Sequence, residues 1–174
     1  MEPTIHSHPE LFSRMMNSIN RQIKKHDIRL YGRPFKTNVG EAIPAINLIR
    51  IPAIYDIRSI YVSYHEIGHI IFGHYINPKR RPYLQEMEAE KYALQQLRRF
   101  SIHKLFPDIY AAIKEEAADY VIKFIMKEIS KGVKCDEIST SAYEFIKPYI
   151  NFPLLFKLFV LKKKKKSASG RKSK

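Results

Sequence analysis

The sequence contains little glycine, a single cysteine and no tryptophan, and acidic residues are in the minority. Six glycines in 174 residues are too few for an all-β fold with many tight turns. The single cysteine, Cys135, cannot form an internal disulfide or a two-thiol metal site, which excludes the disulfide-stapled secreted class. No run approaches the roughly 18 apolar residues of a membrane-spanning helix, and the N-terminus does not resemble a signal peptide. These absences predict a cytoplasmic protein, with association with the nucleoid or the nucleus left open.

Positive charge is concentrated at the C-terminus. Basic residues outnumber acidic ones by 31 to 17, so the net charge is +14 and the pI is near 9.8. Eight of the basic residues, and no acidic one, lie in residues 162–174, which predicts a disordered polybasic tail. We expect residues 1–161 to form one domain. The tail either binds a polyanion such as nucleic acid or only keeps the protein soluble.

Hydrophobic periodicity predicts an α+β fold that is mainly helical and has a small N-terminal sheet. The predicted helices begin at residue 9 and then cover 56–73, 82–99, 107–130 and 139–147; strands are predicted at 28–35 and 45–51, with a turn at 38–40. Helix 107–130 is expected to bury a stripe that includes Tyr120 and Phe124, and nothing in it indicates a site. The apolar segment 149–161 is interpreted as a last helix packed on the domain, with an interfacial membrane anchor as the less favoured alternative.

An HExxH sequence occupies residues 65–69, within the predicted helix 56–73. His65 and His69 lie one helical turn apart on one face, so both imidazoles can reach a single metal ion. Neutral imidazole suits Zn²⁺, and a catalytic zinc site keeps one position open for water. Glu66 projects beside that face, where its carboxylate can take a proton from the water as the catalytic base. The alternative, two half-buried histidines and a solvated glutamate, is disfavoured by the apolar flanks, because unpaired buried ionisable groups are costly.

A third zinc ligand must come from elsewhere in the chain. The metzincin pattern would place a histidine where this chain has Tyr75, and His74 falls on the far side of the helix by its angular position. We expect the ligand to be Glu86 on the next helix, which shares a face with Glu90 and with small alanines that permit close helix packing. Glu90 would accept the second ring proton of a zinc histidine, and Glu88 should point to solvent. An ordinary exposed acidic face paired with basic residues is the alternative for this helix.

The two motifs together resemble those of the ImmA/IrrE family of zinc metallopeptidases. Residues 58–74 are similar to the family's HELGHxxxGH-like helix, and residues 86–93 to its later ExxA(N/D)xFA helix. Glu86 stands where the family has its ligand glutamate, and Glu90 where it has Asn or Asp. The similarity covers residues 57–97 and implies a zincin-like metalloprotease domain.

The resemblance also implies a function: a zinc-dependent endopeptidase of narrow specificity that cleaves a DNA-binding transcriptional repressor, typically of the helix-turn-helix type, or a similar protein. Zn²⁺ would be held by His65, His69 and Glu86, with Glu66 as the base and an unidentified Tyr or His stabilising the oxyanion. The peptide would lie extended along the edge of the small sheet. Two alternatives remain: a nucleic-acid-associated protein whose metal fold is only a scaffold, and a DNA-repair protease of the SprT type acting on DNA-bound proteins. The latter normally uses a third histidine, and none occurs between residues 75 and 102.

Overall fold

Six α-helices and three short strands make up the part of the chain that the structure describes. That structure is a computed structural model, which describes residue 4 and residues 6–77, 79–134 and 137–150. The helices are α1 (Pro9–Lys25), α2 (Ile57–Ile71), α3 (Pro82–Arg99), α4 (Ile102–Leu105), α5 (Pro107–Ser130) and α6 (Thr140–Ile146), and the strands are β1 (Arg29–Leu30), β2 (Glu41–Ile43) and β3 (Leu48–Arg50).

The expected mainly helical α+β class is confirmed. Proline begins α1, α3 and α5 at the predicted residues, because its fixed φ suits the first helical turn. The helix α4 was not predicted, because four residues are too few to show a helical periodicity. Only residues 149 and 150 of the predicted last segment are described, and the polybasic tail 162–174 lies outside the described residues.

The sheet has three strands where two were predicted. The central strand, β3, pairs in parallel with β1 and antiparallel with β2. β2 begins directly after the predicted turn and ends at Ile43, before Pro44, so it is too short to show an alternating pattern. In the described part of the chain no strand pairs with the other edge of β2, and α2 packs against both β2 and β3.

The central element is α2, and most of its residues are buried. Its N-terminus is fixed by a capping box: Ser59 N donates to Asp56 Oδ1 at 2.7 Å, and Asp56 N donates to Ser59 Oγ at 3.0 Å. The helix packs against α1, the sheet and α3. Contact with α3 is very close, since a Cβ atom at Gly68 would lie 3.2 Å from Ala89 Cα. The expected close packing of small residues between these two helices is therefore observed.

A second apolar cluster fills the space between α3, α5 and α6, including Tyr83, Met87, Val121 and Ile146. Ile113, Ala117 and Ile125 of α5 are buried as predicted. Phe124 is half-buried and the Tyr120 side chain is 40% exposed, whereas the prediction had both buried. The buried face also includes Ala118 and Val121, because α5 packs on both α3 and α6. No helix in the described ranges has the length and apolar character that a membrane crossing requires.

Candidate metal centre

Three side chains from two adjacent helices meet at one buried point. His65 and His69 of α2 turn their Nε2 atoms toward each other at 3.0 Å. Glu86 of α3 places Oε2 3.4 Å from His65 Nε2 and 3.6 Å from His69 Nε2. All three residues are buried, and they are the one group of three metal-binding side chains found in the described residues. The sequence predicts that His65, His69 and Glu86 lie close together, and this is observed.

The donor atoms have the spacing that a small tetrahedral cation needs. Ligand bonds of about 2.0–2.1 Å to zinc place neighbouring donor atoms about 3.3–3.4 Å apart, close to the observed 3.0, 3.4 and 3.6 Å. Glu86 Oε2 is buried and has no hydrogen-bond partner among the described residues. A buried carboxylate oxygen left in this state is costly unless a cation binds it. The site therefore fits a divalent metal ion bound by two imidazoles and one carboxylate.

Glu90 lies behind His65, as the sequence predicts. Glu90 Oε1 is 3.3 Å from His65 Nδ1, at ion-pair distance although not aligned as a hydrogen bond. The other oxygen of Glu90 accepts a hydrogen bond from the buried Tyr61 hydroxyl. Although burial lowers it, the carboxylates of Glu90 and Glu86 raise the pKa of His65 well above its usual value. Glu90 can thus orient the imidazole whose Nε2 faces the metal position.

Two predictions about neighbouring residues are wrong. His74 is fully buried rather than on the far side of the helix: its Nδ1 lies 2.8 Å from His69 Nδ1. The helical angle does not extend to residue 74, because α2 ends at Ile71 and the chain reverses through Gly73 at φ 59°. Glu88 is half-buried and contacts His74 Nε2 at 3.1 Å, where solvent exposure was predicted.

The contacts of His74 continue outward to charged groups. Glu88 also accepts a hydrogen bond from the Arg80 guanidinium. Burial, with a further contribution from His69, lowers the pKa of His74 to about 4. Arg80, Glu88 and His74 therefore form a chain of contacts that ends at Nδ1 of His69. Glu90 contacts the equivalent nitrogen, Nδ1, of His65.

Glu66, the predicted base, is buried at the junction of α2 and the sheet. A Cβ atom at Gly40, just before β2, would lie 2.7 Å from Glu66 Oε1, so the strand backbone approaches the carboxylate very closely. Burial raises the pKa of Glu66 to about 7, with the carboxylates of Glu86 and Glu90 adding to the effect and His65 opposing it. In this environment a carboxylate is a stronger base than an exposed one.

Two tyrosines complete the site, and the sequence analysis assigned neither. Tyr75 has φ 61°, and its hydroxyl donates a hydrogen bond to Glu86 Oε1. The ring of Tyr120, on α5, lies 5.9 Å from that of His65. Burial, together with the carboxylates of Glu86 and Glu66, raises the pKa of Tyr120 to about 12. Tyr75 follows the HExxH helix directly, which is a weak local signal; nothing local in α5 marks Tyr120, which only the tertiary packing brings to the site.

Comparison with known proteins found no matching protein-family model, no similar curated protein and no similar solved structure.

Proposed function

We propose that this protein is a zinc-dependent endopeptidase. The observation that carries the proposal is the triangle of His65 Nε2, His69 Nε2 and Glu86 Oε2, with the Glu66 carboxylate beside it. Two imidazoles and one carboxylate are a donor set typical of hydrolytic zinc sites. A bound zinc ion supplies Lewis acidity, polarising a peptide carbonyl and lowering the pKa of a coordinated water to about 7.

Glu66 is proposed to move the proton in this reaction. Its carboxylate takes a proton from the attacking water and later returns it to the leaving amine. Glu66 is buried and the backbone at Gly40 packs closely against its side chain, which limits the access of bulk water to the carboxylate. Tyr120, whose ring lies beside that of His65, is the candidate for the hydrogen-bond donor to the developing oxyanion, because the Tyr75 hydroxyl already donates to Glu86 Oε1.

The edge of β2 is proposed to bind the substrate backbone. This edge has no strand partner in the described part of the chain and adjoins Gly40, which touches Glu66. An extended peptide paired with such an edge would present one carbonyl to the metal position. The exposed apolar side chain of Val39 lies just before β2, and that of Ile43 lies within it. The Tyr75 hydroxyl contacts Glu86. These surfaces support narrow specificity, for a substrate with apolar residues around the cleaved bond.

The substrate class is proposed from the resemblance to ImmA/IrrE metallopeptidases: a DNA-binding repressor of the helix-turn-helix type. The alternative of a DNA-repair protease with three histidine ligands has less support. His74 contacts the rear nitrogen of His69, and the described donor group contains Glu86 as its third member. Nucleic-acid binding through the tail remains a proposal about residues outside the described ones.

Metal analysis combined with hydrolysis of a quenched fluorescent peptide library tests the proposal. The wild type should contain about one zinc ion per chain and should cleave a narrow subset of the peptides. His65→Ala and Glu86→Ala should lose both zinc and cleavage, because each removes a ligand. Glu66→Gln should keep the zinc and lose cleavage. Glu115→Ala, which removes an exposed carboxylate on α5, is the matched control and should change neither.

Two results would refute the proposal in different ways. Wild-type zinc content in Glu86→Ala would show that the ligand set is wrong. Undiminished cleavage by Glu66→Gln would show that the hydrolysis does not occur at this centre.

A further inference from the structure

A second surface, which includes the C-terminal half of α3, is lined by positive charge. Three adjoining cavities of about 580, 540 and 370 Å³ run across α1, the C-terminal half of α3 and the first half of α5. Arg98, at the far end, is about 18 Å along the helix axis from Glu86. We call this surface the basic groove; its basic side chains are Arg14, Arg21, Lys24, Lys25, Lys91, Arg98, Arg99 and Lys114.

The three cavities form one continuous groove. The cavity between α1 and α3 shares Arg21 and Phe100 with the cavity along α1. It shares Arg99 with the cavity toward α5. A linear ligand can therefore contact all three helices at once, whereas a compact anion would occupy one cavity.

Acidic side chains are missing from this groove. Residues 11–26 and 91–107 contain no Asp or Glu, and the fold brings these two stretches together. No carboxylate lines the three cavities. Within the described ranges, no ion pair joins any of the eight basic groups to a carboxylate. Seven of the eight are exposed and Lys114 is half-buried, so their charges can reach a ligand.

Two of the guanidinium groups are close to one buried phenol. Arg21 and Arg99 both act to lower the pKa of Tyr64, against the larger effect of burial, which raises it. Arg99 Nη1 donates to Gln96 Oε1 at 3.1 Å, which holds this guanidinium in place. Like charges gathered without counter-charges repel each other and cost folding free energy. A polyanion in the groove would remove this repulsion.

The remaining lining favours a nucleic-acid backbone over an acidic protein. Asn17, Asn20 and Gln95 supply side-chain amides, which together with Arg and Lys are common donors to phosphate and sugar oxygens. The aromatic rings, Phe100 and Tyr110, are half-buried in the floor and do not stand out to stack on bases. Protein partners are usually anchored by large apolar side chains in deep pockets, whereas this groove is open and lined mostly by basic and amide side chains.

We propose that the basic groove binds the phosphodiester backbone of nucleic acid without reading its sequence. Binding there would leave the metal centre free, because the basic side chains that α3 gives to the groove are exposed, whereas Glu86 and Glu90 are buried. The groove would be a contact surface separate from the polybasic tail.

Fluorescence anisotropy with a labelled DNA duplex of about 20 base pairs tests the proposal on the full chain at several salt concentrations. Arg21→Gln combined with Arg99→Gln should weaken binding roughly tenfold and reduce the salt slope by about two, since each residue neutralises one phosphate. The matched control is Lys123→Gln with Lys127→Gln, which removes two exposed charges from α5 outside the groove. The control should change affinity less than about twofold.

Folding of each variant is checked by its thermal transition and zinc content. If the arginine pair fails to fold, Lys24→Gln with Lys25→Gln probes the same groove from the end of α1. The proposal is overturned if the groove and control variants lose equal affinity, because net charge or the tail would then explain the binding. It is also overturned if the wild type does not bind DNA, or if it binds poly-glutamate of equal charge more tightly.

Discussion

Gly40 lies so close to Glu66 that a Cβ atom at residue 40 would be 2.4 Å from Glu66 Cγ. A glycine is needed there for space alone, because the strand and α2 approach each other at the carboxylate. Gly40→Ala should therefore displace the Glu66 side chain and reduce peptide hydrolysis roughly a hundredfold, as expected for a catalytic group moved by about 1 Å. Zinc content should be unchanged, since the ligands come from α2 and α3. Hydrolysis at the wild-type rate would show that the position of Glu66 does not matter.

The hydroxyl of Tyr75 holds one oxygen of Glu86, leaving the other oxygen directed at the two imidazoles. Tyr75→Phe should weaken zinc binding about tenfold or more, because a partner that orients a metal ligand contributes to affinity. Competition with a zinc-binding dye measures the change. Tyr120→Phe is the matched control: its ring lies beside His65, but no hydrogen bond to a ligand is found for its hydroxyl in the described part of the chain. Equal effects in the two variants would contradict the assigned role of Tyr75.

His74 is enclosed between His69 and Glu88. His74→Ala would leave the rear nitrogen of His69 and the Glu88 carboxylate without this partner, which should lower the free energy of unfolding by about 1–3 kcal/mol. Zinc affinity should fall about 10- to 100-fold. Urea unfolding and dye competition measure the two effects. His26→Ala, at the end of α1 and away from the metal centre, should change zinc affinity little. Unchanged zinc affinity in His74→Ala would show that the contact between His74 and Nδ1 of His69 does not contribute to zinc binding.

Local sequence was sufficient to predict which side chains meet at the candidate metal centre, and it failed where the chain reverses or where distant elements meet. His65, His69, Glu86 and Glu90 lie within regular helices, so their angular positions follow from residue spacing. His74 lies after the end of α2, where a left-handed glycine changes the direction of the chain, and the helical angle no longer applies.

The third strand and Tyr120 were missed for a different reason. β2 has three residues, too few for a visible alternation, and its pairing with β3 depends on tertiary structure. Tyr120 was predicted to be buried because its spacing in α5 fits an apolar stripe, yet it lies at the metal centre. Burial on α5 depends on which helices pack against it, and periodicity alone does not give that information.

The buried Glu66 carboxylate should lower the free energy of unfolding of the metal-free protein as pH rises from about 4.5 to about 7. Burial is the main cause that raises its folded pKa from the ordinary 4.5 to about 7. Between these two pH values the folded chain retains a proton that the unfolded chain has lost, so stability falls as pH rises and the penalty is complete above pH 7. With zinc removed by a chelator, Glu66→Gln should be more stable than the wild type by about 2–3 kcal/mol near pH 8, and equal to it near pH 4.

Urea unfolding at the two pH values measures this difference, with Glu115→Gln, an exposed carboxylate on α5, as the control that should show none. Adding zinc should reduce the gap, because a cation beside Glu66 favours the charged carboxylate and offsets the cost of its burial. The same substitution that abolishes hydrolysis would then stabilise the chain, as expected when a catalytic group is kept in an unfavourable environment. A Glu66→Gln protein no more stable than the wild type near pH 8 would show that the buried carboxylate carries no such penalty.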